Sequence, residues 1–216
     1  GNSKRILNKN IRILGKKPLI IWTIEIAKKI SGICDVLVST DDPSIAKISK
    51  EAGALVPWLR PVNLSTDSSK SVDVSIHAID KYEKEKQKID ALLLLEPTSP
   101  FRNINTIQKG IKLFQDNNFK PVLGVSPSNN HPMWAFKLEN NYLEPYMKNH
   151  GLNKRSQDLP KVYNINGNFY LIKTEDLRLN KSFINKETLP LIITNLKESV
   201  NIDNEDDWDL AERYIN

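Results

Sequence analysis

Residues 91–102 read A-L-L-L-L-E-P-T-S-P-F-R. Five apolar residues run together without the alternation of a half-exposed strand. They predict a strand from Ala91 to Leu95 covered on both faces, the property of a sheet with helices on either side. The polar loop Glu96 to Arg102 leads into a helix: Asn103 or Asn105 supplies the N-cap, and Ile107, Ile111 and Phe114 recur at helical spacing. A further short strand is predicted at Val122–Val125.

The same rhythm extends upstream. Pro18 opens a helix that is predicted to reach about Ser31, with Leu19, Trp22, Ile26 and Ile30 on one face and Gly32 as its stop. D-V-L-V-S-T at 35–40 predicts a β-branched strand, and Asp42 with Pro43 starts a helix that ends before Gly53. Residues 54–70 are irregular, and Val72 to about Lys86 forms another amphipathic helix. Strand and helix alternate, so the fold class is α/β: a Rossmann-like, doubly wound, mostly parallel sheet in a single domain over 1–216. Residues 127–165 break the rhythm. They are rich in Pro, Asn and His, contain a hairpin turning at Asn140-Asn141, and form a small protruding excursion rather than a second domain. Strands at Asn168–Ile172 and Leu191–Thr194 return to the body. Asp203 or Asn204 starts a last helix with Trp208, Ala211 and Ile215 inward.

Composition narrows the function. Hydrophobic residues at 39% and charged residues at 26% describe a globular chain. No apolar run approaches the roughly 20 residues of a membrane span, so no membrane partner is expected. The net charge is +5; its concentrated part lies in the first seventeen residues, where it suits a small polyanion, and no dense basic run with interleaved aromatics is present, which argues against nucleic acid. Cys34 is the single cysteine. It excludes an internal disulfide framework, is expected as a buried thiol, and with the absence of a visible signal peptide points to a cytoplasmic protein.

In open α/β sheets ligands bind at the carboxyl ends of strands. Three polar loops occupy such places: Gly1 to Asn10, Ser39 to Asp42, and Glu96 to Arg102. The first reads G-N-S-K-R-I-L-N-K-N and is glycine-led and cationic, a composition that suits a polyanion, although a surface loop with scattered lysines reads the same way. A loop of this kind hangs from a buried strand. No such strand lies within these residues, and an open edge beside the strand at 35–40 is expected. The segment V-N-I-D-N-E-D-D, 200–207, places Asn201 and Asp203 on one face of an extended stretch, two oxygen ligands of the kind Mg²⁺ takes beside phosphates. The alternative is that Asp203 only caps the last helix. His77 reads as structural within its helix, His131 lies in a loop able to meet a ligand or a neighbouring subunit, and His150 carries no pattern.

Taken in order, these pieces resemble the acylneuraminate cytidylyltransferases, the CMP-sialic acid synthetase family. The opening loop looks like that family's G-G-S-K-x-x-P-x-K-N. V-S-T-D-D-P-S-I-A, L-R-P-V-N-L-S-T-D, L-L-E-P-T-S-P-F-R, R-S-Q-D-L-P-K-V-Y-N-I-N-G-N-F-Y and S-V-N-I-D-N-E-D-D follow in the family's order and spacing over essentially the whole chain. The resemblance implies that CTP and a nine-carbon 2-keto sugar acid give a CMP-sugar and pyrophosphate, with Mg²⁺ as cofactor. It assigns Lys9 and Asp203 to catalysis, Ser3, Lys4, Asn10, Arg60 and Ser71 to the nucleotide, Glu96, Arg155 and Gln157 to the sugar acid, and Asp203 with Asn201 to the metal. It implies a homodimer in which residues 127–165 serve the neighbour.

Asn201 stands where many relatives have Asp, which lowers the charge offered to a metal. Glu96 stands where sialic-acid members commonly have Gln, which points toward a differently substituted acid of the legionaminic or pseudaminic type. The family's arginine ahead of the opening loop is not among these residues. Two alternatives compete: a 3-deoxy-manno-octulosonate cytidylyltransferase, and a non-catalytic nucleotide-binding subunit. The whole reading requires Lys9 and Asp203 to meet.

Overall fold

The computed structural model describes residues 6–148 and 151–215. After a short 3-10 turn at Lys9–Ile11, two two-residue strands, β1 (Ile13–Leu14) and β2 (Lys17–Pro18), form a small antiparallel pair. Helices α1 (Leu19–Ala27), α2 (Pro43–Glu51) and α3 (Ser71–Glu85) precede β3 (Ala91–Leu94). Then come α4 (Ile104–Asp116), β4 (Val122–Pro127), the hairpin β5 (Phe136–Glu139) and β6 (Tyr142–Pro145), and β7 (Tyr163–Lys173). Helix α5 (Thr174–Asn180), β8 (Leu189–Ile192) and α6 (Glu205–Arg213) complete the chain.

The local signals work where they were read. Asp42 accepts from the Ser44 and Ile45 amides ahead of α2, and Asn103 accepts from the Asn105 amide ahead of α4. Asn140 and Asn141, at φ 49° and 67°, turn the hairpin with both central residues left-handed, the geometry that matches strand twist. Helix α1 ends at Ala27, short of Ser31, while Gly32 sits at φ 83°.

The main sheet has the order β3-β7-β4-β8. Strand β8 runs parallel to β4, and the segment around Leu37 bridges Leu55 in parallel. Strand β7 is antiparallel to both neighbours. The α/β class holds, and the sheet is mixed. The reason is topological: β7 returns from the 127–165 excursion beside β4, and a strand that comes straight back without a crossover helix must pair antiparallel. Side chains alternate along β7. Phe169 and Leu171 pack with Ala27, Ile30, Ile107 and Phe114 on one face. On the other face Ile172 packs with Ile79, Leu177 and Phe183. A separate cluster joins Ile6, Leu14, Leu19, Phe101, Val200, Ile202, Trp208 and Ala211. It fastens the first residues, the 96–102 loop and α6 into one base under the candidate site.

Three expectations change. Residues 35–40 are extended but make a single bridge, not a ladder strand. Strand β3 is half-buried along its length rather than covered on both faces. Cys34 is exposed rather than buried. One cause accounts for all three: residues 35–40 and 91–95 both face a cleft of about 610 Å³ that also borders α1 and α3.

Helix α4 lies close on the sheet because Gly110 has no side chain. A Cβ there would stand 2.5 Å from Phe169 Cζ and 2.9 Å from Leu191 Cδ2. Alanine gains about 1 kcal/mol of helix propensity over glycine, but overpacking a filled core costs roughly 1–3 kcal/mol. Gly110→Ala is expected to lose up to about 2 kcal/mol net, read as a lower urea midpoint at unchanged slope. A higher midpoint would mean that α4 floats on the sheet.

Candidate active site

The site is built where the amino end of the chain meets its carboxyl end. Asn8, left-handed at φ 52°, turns the backbone into the 3-10 turn that carries Lys9 and Asn10. The Lys9 side chain is 12% exposed; its Nζ stands 3.6 Å from Asp203 Oδ1. The same Nζ donates to the Ile202 carbonyl at 2.7 Å. Asp203 is half exposed, and its Oδ2 accepts from Asn201 Nδ2 at 2.6 Å. Helix α6 is capped by Asn204 in a reciprocal box with Asp207, so the alternative role for Asp203, as that helix's cap, falls away. Its carboxylate is left to face Lys9.

Asn201 Oδ1 is buried and has no hydrogen-bond partner among the described residues. It points at Gly167: a Cβ there would lie 2.9 Å from Glu96 Oε2, 3.2 Å from Asn201 Oδ1 and 3.4 Å from Ser99 Oγ. Gly167 has φ 68° and sits in an irregular stretch of β7, where the pairing register with β4 shifts between Leu123 and Val125. Bulges of this kind re-aim side chains next to functional sites. Three oxygen-bearing side chains, two from the loop after β3 and one from the segment before α6, thus crowd over one glycine.

Arg102 holds this arrangement from behind. It is 6% exposed, and all five of its N–H groups are used. Nε donates to Asn168 O, Nη1 to Ser99 O and Thr23 Oγ1, and Nη2 to Glu96 O and Gly167 O. Burial pushes its pKa down to about 9, against the attraction of Glu96, which leaves it charged at neutral pH. The Glu96 carboxyl is pushed up, chiefly by burial; Arg102 and Lys9 oppose the shift and Asp203 adds to it. The Ile202 amide donates to Thr98 O at 2.8 Å, joining the 200–203 segment to the same loop.

Lys9, Asn10, Arg60, Ser71 and Glu96 all line the one cleft. Arg60 is braced by Asp41 and Ser65. Ser71 opens α3, whose first turn no side chain caps, leaving amide groups suited to an anion. Arg155 and Gln157 are exposed on a short turn of the excursion and do not line this cleft. Ser3, Lys4 and His150 lie outside the described residues. Both ring nitrogens of His131 are engaged inside the excursion, with the Met133 amide and the Pro160 carbonyl. Ser99, Arg102 and Gly167 were not singled out from sequence. The signal available for Gly167 was a glycine between asparagines inside a strand, a mark of a bulge or close backbone approach.

A family model described as cytidylyltransferase matches residues 1–188. The chain is 36% identical over 221 residues to a CMP-N,N'-diacetyllegionaminic acid synthase of Legionella pneumophila, covering 99% of this chain and 91% of the relative. It is 33% identical to a pseudaminic acid cytidylyltransferase of Campylobacter jejuni, covering 98% and 90%. In the fold, a CMP:2-keto-3-deoxy-manno-octonic acid synthetase complexed with CTP superposes with a TM-score of 0.72 at 14% identity, over 99% of this chain and 94% of that one.

The folded chain holds the Glu96 proton to higher pH than the unfolded chain does. Above the unfolded carboxylate range the native state therefore binds more protons, and stability falls as pH rises through the window up to the folded value. Glu96→Gln removes that loss. It is expected to raise the melting temperature at about pH 7 and leave it unchanged at about pH 4. Equal gains at both pH values would rule out burial of the charge as the cause.

Proposed function

This chain belongs to the cytidylyltransferase family, and from that membership we propose that it activates a nonulosonic acid with CTP, releasing a CMP-sugar and pyrophosphate. The observation that carries the reading is the meeting of Lys9 and Asp203, 3.6 Å apart, beside the cleft that Asn10, Arg60, Ser71 and Glu96 line. The anomeric hydroxyl of the sugar acid attacks the α-phosphorus in line as pyrophosphate departs. Such chemistry rests on positioning and on offsetting charge rather than on a covalent intermediate. The Lys9 ammonium and the Arg60 guanidinium meet the triphosphate, and the first turn of α3 adds amide donors.

The residues present fit Mg²⁺. Asn201 Oδ1 is a buried oxygen without a partner among the described residues, and Asp203 offers a half-exposed carboxylate beside it. Among the described residues no group of three His, Cys, Asp or Glu side chains is available to a metal, so phosphate oxygens complete the set, as is usual for this ion. Bound there, the cation offsets charge on the phosphate oxygens. Glu96, an acceptor on the sugar side, favours an acid whose substituents carry N–H donors, in line with the legionaminic and pseudaminic acids named for the relatives.

The chain is also proposed to act as a homodimer. Leu138 and Leu143 stand opposite each other on the hairpin at 71% and 69% exposure, and Tyr142, Tyr146 and Ile165 are exposed nearby. An apolar surface carried on a protruding hairpin marks an interaction face, and the exposed Arg155 and Gln157 on the same excursion are proposed to serve a partner's cleft. No helix among the described residues is long and apolar enough to cross a membrane. A cytoplasmic location fits the cytosolic supply of CTP.

The reaction, the two charged residues and the dimer each carry an expected outcome. Pyrophosphate release is expected with CTP and at least one acid from a panel of legionaminic, pseudaminic, N-acetylneuraminic and 3-deoxy-manno-octulosonic acids. Asp203→Asn and Lys9→Met are expected to reduce kcat by about a hundredfold or more. Asp203→Asn should leave the melting temperature near wild type. Lys9→Met should lower it, because a charge-assisted bond to Ile202 O worth about 1.5–3 kcal/mol is lost. CTP binding without turnover of any acid would instead establish a non-catalytic nucleotide-binding subunit. In light scattering, the wild-type chain is expected at twice the monomer mass and Leu143→Asp at the monomer mass; a monomeric wild type ends the dimer proposal.

A further inference from the structure

We propose that Arg102 is a positioning residue for the sugar-acid half of the reaction: its buried guanidinium sets Glu96 and the Gly167 bulge against each other. The inference rests on the reading of Glu96 as a group facing the sugar acid. It goes beyond that reading by assigning the geometry of the sugar-facing wall to a residue that touches no substrate.

The argument begins with donors and acceptors. Arginine presents five N–H groups in a rigid fork. Here four go to main-chain carbonyls and the fifth to Thr23 Oγ1. Those carbonyls belong to two chain segments. Glu96 and Ser99 lie in the loop after β3, and Gly167 and Asn168 lie in the irregular part of β7. A third element, α1, supplies Thr23. One planar group therefore fixes the separation of two walls of the site and their position on α1.

The two carbonyls that share Nη2 are those of Glu96 and Gly167 themselves. These are the residues whose opposing atoms are tightest, with Glu96 Oε2 at 2.9 Å from a Cβ built on Gly167. None of the five acceptors is a carboxylate, so the guanidinium keeps its full charge, which acts on the nearby Glu96 side chain. Lysine, with three donors on a flexible stem, keeps the charge but leaves at least two acceptors unpaired and loses the fork. The nucleotide side is linked to this group only indirectly, through the Thr98 and Ile202 main chain to Lys9. Asn10, Arg60 and Ser71 are held by other elements, and Arg60 by its own bonds to Asp41 and Ser65.

The test compares the wild-type chain with Arg102→Lys and with the milder Thr23→Val, which unpairs a single donor. Three measurements are made: amide hydrogen exchange without substrate, calorimetric CTP binding, and steady-state kinetics with CTP and the preferred sugar acid varied in turn. In both variants the Ser99 and Ile202 amides, which bond within and onto the loop, are expected to exchange faster while those of β4 are unchanged. CTP affinity should stay within about twofold, and kcat/KM for the sugar acid should fall by about tenfold to a hundredfold, more for Arg102→Lys. Exchange that rises over the whole sheet, exchange that does not rise in the loop, or equal losses for the two substrates would overturn the proposal. A wild-type chain that turns over no acid defeats the proposed function; the exchange measurement then decides the role of Arg102 by itself.

Discussion

A guanidinium taken out of water must have every donor satisfied, because a buried unpaired charge costs several kcal/mol. Arg102 meets that demand with atoms that only the folded chain brings together: carbonyls of the loop after β3, carbonyls of the β7 bulge, and a hydroxyl of α1. Two further bonds extend the constraint. The Thr98 carbonyl receives the Ile202 amide, and the Ile202 carbonyl receives the Lys9 ammonium. The turn that carries Lys9, the loop after β3 and the segment before α6 are thereby tied to one another at main-chain carbonyls. The apolar cluster around Trp208 and Ile202 lies beneath and resists their separation.

Main-chain tethers leave the side chains of the site free to work. Asp203 is not spent on capping α6, because Asn204 does that. Glu96 is bonded to Arg102 through its carbonyl and not through its carboxylate. Asn201 uses its amide nitrogen on Asp203, and its oxygen has no partner among the described residues. The price is electrostatic: a buried carboxyl, a half-exposed one and two cations share a small volume, and burial with Asp203 raises the Glu96 pKa while Arg102 and Lys9 oppose it. Such crowding of opposed charges is common where a site must hold polyanions and a metal rather than merely stay folded.

Much of this was legible before the structure. Helix caps at Asp42 and Asn103, the Asn140-Asn141 turn and the helical faces of α2 to α4 follow from local rules that depend on few neighbours. The pairing of Lys9 with Asp203 was legible because two motifs at opposite ends of the chain made sense only together. What escaped detection was set by non-local geometry. The apolar run at 91–95 says that a strand is surrounded, not which elements surround it, so the cleft beside β3 and the exposure of Cys34 could not be read from it. The direction of β7 depends on how the excursion returns, which no periodicity encodes. Nothing in the sequence set Arg102 apart from the polar loop that it ends. Its burial depends on four carbonyls, and carbonyls carry no sequence signature.

The exposed Cys34 has a practical side. It is the chain's single thiol, and it lines the same cleft as Lys9, Arg60 and Glu96, beside Tyr82. A maleimide fluorophore would therefore attach at one place without any engineered substitution, and its emission would report directly on what enters and leaves the cavity. The molecule comes with its own optical gauge of occupancy.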